Sequence, residues 1–157
     1  MKPVEKYYKR PESVLVMIYS RDGNVLLMRR ADHENFWQSV TGSMNWEESS
    51  PLETACREVT EETGLETTES NGLLRDLGKT YKYDIYPQWK HRYAPGVNIN
   101  TEHSFALELP AKVGVTLNPD EHCDYVWLDF QMAFDTATSW SNKEAILDVW
   151  QRTGKRR

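Results

Sequence analysis

Cysteine is nearly absent from this sequence: of 157 residues only Cys56 and Cys123 are cysteines. They lie far apart with no partner at ligand-like spacing, which argues against a disulfide framework or a zinc cage. Reduced, buried thiols are the expectation. Long apolar runs are missing too. The longest, residues 14–19, is far short of the roughly 20 residues that cross a bilayer. Residues 1–6 lack the apolar stretch and small-residue cleavage site of a secretion signal. There is no internal repeat, low-complexity tract or Gly/Ser linker. One domain over residues 1–157 is therefore expected, with 152–157 as a frayed basic tail. These absences predict a cytoplasmic protein without a membrane partner.

An excess of positive charge is also lacking. Lys and Arg number 19 against 24 Asp and Glu, leaving a net charge of −5. Nucleic acid demands a basic face, so no nucleic-acid partner is expected. A small polyphosphate could still bind if divalent cations bridged acid to acid. What the chain does have is material for a core: 39% hydrophobic residues beside 27% charged ones is a globular balance, not a disordered one.

Residues 13–20 read as a buried strand. Asp22-Gly23 is a turn signal, and 25–29 form the returning strand. Residues 36–41 suggest another short strand ending at Gly42. Pro51 opens a helix that runs to Thr63 and stops at Gly64. Strands are expected at 77–86 and 103–109, around an irregular segment with a Pro95-Gly96 turn, and again at 125–128. Ser141 or Asn142 would cap a last helix over 143–151. Without strict βαβ alternation, the class is α+β, with helices packed on a mixed sheet.

The chemistry concentrates in Arg57-Glu58-Val59-Thr60-Glu61-Glu62-Thr63-Gly64-Leu65. On a helix, Glu58, Glu61 and Glu62 stand at i, i+3 and i+4, so three carboxylates share one side and repel. A solvated acidic face would explain them, as would hard cations, which prefer oxygen ligands and share them with phosphates.

The surrounding frame favours the cations. Gly42 precedes Glu48 by five intervening residues, and the stretch from Arg57 to Leu65 follows. This resembles the Nudix box, whose second half is matched position for position. Eight residues rather than seven separate Glu48 from Arg57, the extra one falling at Ser49-Ser50. Glu48 is the box acid by its distance from Gly42, and Glu47 is its alternative. Further segments, among them Tyr8-Lys9-Arg10-Pro11, Asn100-Thr101-Glu102 and Ser139-Trp140-Ser141-Asn142, are similar to bacterial dihydroneopterin triphosphate pyrophosphohydrolases.

The resemblance implies a Nudix-type α/β/α sandwich whose box helix carries a Mg²⁺ site, with Mn²⁺ as the alternative ion. Its ligands would be Glu58, Glu61, Glu62, Glu121 and the Gly42 carbonyl. Arg57 would orient a glutamate rather than touch substrate. The proton acceptor stays open among Glu61, Glu62 and Glu121. Lys9 and Arg29 are expected on the triphosphate; Arg29 and Arg30 end a strand on opposite faces, so only one reaches the site. Thr41, Tyr83, Tyr86 and Ser139 are expected at the base, with Gln38, Asn142, Trp37, Trp89 and Tyr93 as further polar or stacking groups. The implied function is hydrolysis of dihydroneopterin triphosphate, and of dATP or other nucleoside triphosphates, to monophosphate and pyrophosphate in folate biosynthesis. A general nucleotide-sanitising enzyme and a non-catalytic nucleotide binder are the alternatives. The partner is a small-molecule triphosphate, and the chain is a monomer or homodimer.

Overall fold

The computed structural model describes residues 7–67 and 73–154. The expectations for residues 1–6 and for the end of the tail, 155–157, lie outside them.

Alternation along the first strand determines the layers. In β1 (Glu12–Ser20), Val14, Val16 and Ile18 face one core while Leu15, Met17 and Tyr19 face the other. A strand buried on both faces reads as an unbroken apolar run, as this one does. β1 turns into β2 (Asn24–Arg30), but the two pair only at Tyr19 and Val25 before diverging. Two short strands fill the split: β3 (Trp37–Gln38) pairs with β2, and β4 (Val40–Ser43) pairs with β1 through Val14 and Gly42. Two strands, where one was expected over 36–41, allow the segment to serve both neighbours.

β5 (Leu74–Asp84) and β6 (Ile99–Leu109) complete one side, with β6 parallel to β1 from Thr101 to Leu109. β7 (His122–Asp129) closes the other edge against β2. Among the described residues the sheet has seven strands and is mixed. A 3₁₀ helix, Pro87–Arg92, occupies the segment expected to be irregular.

α1 (Pro51–Thr63) covers one face through Ala55, Cys56 and Val59. Its ends follow local rules. The Ser50 hydroxyl accepts from the Glu53 backbone N–H at 3.2 Å, Pro51 opens the first turn, and Gly64 closes the helix at φ 77°. α2 (Phe130–Thr136) and α3 (Trp140–Thr153) cover the opposite face. α2 was not anticipated. α3 starts three residues earlier than expected, because Ser139 rather than Ser141 or Asn142 is the cap, accepting from the Asn142 N–H. Residues 152 and 153 belong to α3.

The cysteine expectation holds for one residue. Cys56 is buried in the α1-side core, but Cys123 is exposed, because it is the unpaired residue where the β2–β7 register shifts between Arg29–Asp124 and Arg30–His122.

Candidate active site

A cleft of about 680 Å³ opens between the middle of α1, the ends of β5 and β6, the 3₁₀ helix and the first turn of α3. Its acidic floor begins with Arg57. The guanidinium holds both oxygens of Glu48 at 2.9 Å, donates to Glu58 Oε1 at 2.6 Å and Glu61 Oε1 at 3.1 Å, and reaches the Ser43 carbonyl at 3.0 Å. One side chain thus ties α1 to β4 and to the loop before the helix. Glu48 also accepts from the Asn45 N–H and the Thr54 hydroxyl, each at 2.8 Å. Burial alone would raise its pKa, but the bonds from Arg57, Asn45 and Thr54 outweigh burial and bring it to about 2. Glu47 is exposed, so Glu48 occupies the box position. Ser49 and Ser50, where the extra residue is expected, lie in the loop before α1, and a loop takes up one residue at small cost.

Glu58 packs directly on Gly42. A Cβ at that position would fall inside the Glu58 carboxyl group, so only glycine allows the approach. Glu62, one turn on, is 2% exposed and lies against Glu58. Burial first, and then the neighbouring acid, raise its pKa well above the ordinary carboxylate value; burial raises that of Glu58 too. Glu62 Oε1 has no hydrogen-bond partner. His122 Nδ1 lies 3.5 Å away, but burial lowers the pKa of that imidazole to about 4, so it is neutral and supplies no cation.

Among the described residues no three acidic, His or Cys side chains meet closely enough to cage an ion unaided. Arg57 sits where Glu58 and Glu61 converge. The donor chemistry fits a hard cation that keeps water or phosphate in most of its coordination positions: Glu58 on the cleft and the buried Glu62 against it, the latter with an unpartnered oxygen.

The cationic wall differs from expectation in one residue. Arg30 lines the cleft, and Arg29 does not. On β2, Leu26 and Met28 face the α1 side, and Arg30 continues that phase. Arg29 follows Val25 and Leu27 to the opposite face, where its guanidinium lies 5.9 Å from the Trp37 ring. Arg30 is held by Asp32 at 2.7 and 2.8 Å and by stacking on Trp89 at 4.3 Å. Lys9 and Arg92 stand on the same wall, joined by a bond from the Lys9 N–H to the Arg92 carbonyl. Burial, then the nearby Arg92, lower the Lys9 pKa, while Glu121 opposes the shift.

Of the other expected residues, Gly42, Glu58, Glu121, Thr41, Tyr83, Tyr86 and Ser139 all line the cleft. Glu62 lies behind the floor, with the Thr41 backbone hydrogen-bonding its carboxyl. Glu61 is 51% exposed and tied to Arg57. Trp89 and Tyr93 line the cleft, whereas Trp37 goes to the other face. Asn142 is consumed by structure, its amide clasping Ser39 at 2.7 and 3.0 Å. Gln38 lines the cleft but also contacts His122 Nε2 at 3.0 Å. Of the pair expected to send one member to the site, Arg30 and not Arg29 does so, as the alternation of Leu26 and Met28 could have shown, and Arg92 was missed.

Residues 9–149 match the NUDIX domain family model. The chain is 43% identical over 143 residues to the dihydroneopterin triphosphate diphosphatase of Escherichia coli, covering 90% of this chain and 93% of that protein. The protein of that name from Haemophilus influenzae is 38% identical over 140 residues, covering 88% and 87%. Among solved structures, the E. coli dihydroneopterin triphosphate pyrophosphohydrolase superposes with a TM-score of 0.84 at 41% identity, over 96% of this chain and all of that one. With Glu58 on the cleft floor, Glu62 behind it, Arg57 binding Glu48, Glu58 and Glu61, and these likenesses running nearly end to end, the chain belongs to the Nudix hydrolase family.

Proposed function

We propose that the protein hydrolyses dihydroneopterin triphosphate to its monophosphate and pyrophosphate, in the supply of folate, and accepts dATP and other nucleoside triphosphates by the same chemistry. The observation that carries the reading is the buried Glu58–Glu62 pair, with its unpartnered oxygen, set against a wall of Lys9, Arg30 and Arg92. Acids on one side and bases on the other match a cation–polyphosphate pair. The names of the relatives, alike over nine-tenths of the chain, support the pterin as substrate.

Glu58, Glu61, Glu62 and the Gly42 carbonyl would hold Mg²⁺, or Mn²⁺ in its place. Such an ion, when bound, withdraws charge from the phosphate oxygens and makes water more acidic. The remaining work falls to the chain itself. Lys9, Arg30 and Arg92 grip the triphosphate and align it for attack in line with the leaving pyrophosphate. Glu121, exposed on the cleft near Lys9, accepts the proton of the attacking water. Glu58 and Glu62 would be committed to the cation, and Arg57 restrains Glu61. Glu121→Gln is expected to lower kcat by about 10²- to 10⁴-fold with KM changed little. Retention of wild-type kcat would remove Glu121 from this role.

The direct test uses protein stripped of divalent ions, with Mg²⁺ added back. Dihydroneopterin triphosphate is offered beside dATP and the other nucleoside triphosphates, and pyrophosphate is scored against orthophosphate. Mg²⁺-dependent pyrophosphate release with the pterin preferred is the expected result. Preference for another triphosphate would keep the chemistry and change the substrate. No metal-dependent turnover on any of them overturns the reading.

A further inference from the structure

Behind the floor, three buried side chains form a row from the cleft to Glu62. Gln38, on β3, lines the cleft, and His122, the first residue of β7, is 1% exposed. The chain reaches His122 through a turn. The backbone N–H groups of Glu121 and His122 both donate to the Asn118 carbonyl, at 3.0 and 2.9 Å. Glu121 thereby lines the cleft while His122 is turned into the protein. The imidazole stands between its two neighbours: Gln38 Nε2 is 3.0 Å from its Nε2, and Glu62 Oε1 is 3.5 Å from its Nδ1.

That order fixes the ring hydrogen. An amide nitrogen has hydrogens to give and no lone pair to offer, so the His122 Nε2 facing it accepts and is bare. The same contact excludes an imidazolium, which would set N–H against N–H. The one ring hydrogen is therefore on Nδ1, on the Glu62 side. Nδ1 and Glu62 Oε1 are both without a hydrogen-bond partner, and both side chains are almost wholly buried. Buried donors and acceptors left open are rare. Here one of each stands about 0.3 Å beyond the usual N–H···O range, a gap that a small turn of either side chain closes.

We propose that His122 is a positioning residue of the cation site, its Nδ1–H closing onto Glu62 Oε1 when a divalent cation binds and fixing the rotation of that carboxyl group. The inference rests on the reading of Glu58 and Glu62 as cation ligands. Each carboxylate oxygen carries two lone pairs, so Oε1 can accept this bond while the group keeps others for the ion. A ligand already held in one rotation loses less freedom on binding, and binds more tightly. Glu58 is held differently, by Arg57 and by its close approach to Gly42. Gln38 acts one step further out: by keeping Nε2 bare it keeps the hydrogen on the Glu62 side.

The test measures binding of Mn²⁺ alone, by electron paramagnetic resonance of the free ion, to the wild type, His122→Leu and His122→Asn. His122→Leu fills much of the ring's space without its N–H, and should weaken Mn²⁺ binding about 10- to 100-fold. His122→Asn is smaller but keeps an N–H near the Nδ1 position, and should bind closer to the wild type. A role in packing alone predicts the reverse order. Asparagine binding no better than leucine therefore overturns the inference. Wild-type affinity in a folded His122→Leu overturns it too, and leaves the hydrolytic reading intact. The Mg²⁺ concentration for half-maximal turnover should follow the same order, while KM for dATP at saturating Mg²⁺ holds. Should neither variant fold, the side-chain ¹⁵N spectrum of the wild-type histidines at saturating Mg²⁺ decides. Hydrogen on Nδ1 of His122 is expected there, and hydrogen on Nε2 overturns the inference. A wild type that binds no Mn²⁺ overturns this inference and the cation reading together.

Discussion

Replacing Gly42 by alanine is expected to cut kcat/KM by about a hundredfold, with the protein still folded. Gly42 has no left-handed backbone angle, so alanine meets no conformational penalty there. The obstacle is the Glu58 carboxyl group, which occupies the space of the missing methyl. β4 cannot retreat, because its ladder joins Gly42 to Val14 in the central strand. α1 is held in turn by its Ser50 cap and by Arg57 on the Ser43 carbonyl. The flexible member is the Glu58 side chain, which must leave the floor. Steady-state kinetics beside thermal melts separate this from simple unfolding. A double-mutant cycle sharpens the test: Gly42→Ala combined with Glu58→Ala should lose little more than Glu58→Ala alone, since both act through one carboxylate. Full additivity, or wild-type turnover in Gly42→Ala, would contradict the mechanism.

The largest expected loss of stability belongs to Arg57→Leu, about 3 kcal/mol. The substitution strips both Glu48 oxygens of their charged partner while that side chain stays 8% exposed. It also leaves Glu58 with fewer donors, so activity should fall as well. The pH dependence identifies the cause. Glu48 has a folded pKa of about 2 against an ordinary 4.5, so its contribution is complete above 4.5 and is lost as pH falls through about 2. The deficit of the variant, measured by urea unfolding, should therefore be full at neutral pH and shrink as pH is lowered from about 5 towards 2. A deficit constant across that range would point to lost packing instead.

Some of this was legible in the chain and some was not, for identifiable reasons. α1 could be bounded to the residue because Ser50, Pro51 and Gly64 each act locally. The acidic trio could be found because helical spacing alone puts it on one side. Its division of labour could not: Glu62 is buried, Glu61 is half exposed, and only packing against β4 decides which is which. Arg29 was chosen over Arg30 although Leu26 and Met28 carry the phase of the strand. α2 escaped because Phe130 and Ala133 are the only residues it buries, too few to register as a period. His122 adjoins an expected ligand, Glu121, yet no role followed for it. A histidine at the start of a strand becomes unusual only when packing sets its unpaired nitrogen against an unpaired glutamate oxygen.

The floor of the cleft comes from β4 and α1, while the wall bearing Tyr83 comes from β5, β6 and the first turn of α3. No element supplies both. Inherited change can therefore reach the two independently: a lineage can retune which heterocycle it accepts by altering cleft residues such as Tyr83 or Ser139 without touching the box. A duplicated copy of such a gene begins with working hydrolysis and needs only a new preference. Descendants of one ancestor would accordingly diverge first along β5, β6 and the start of α3, and last along α1.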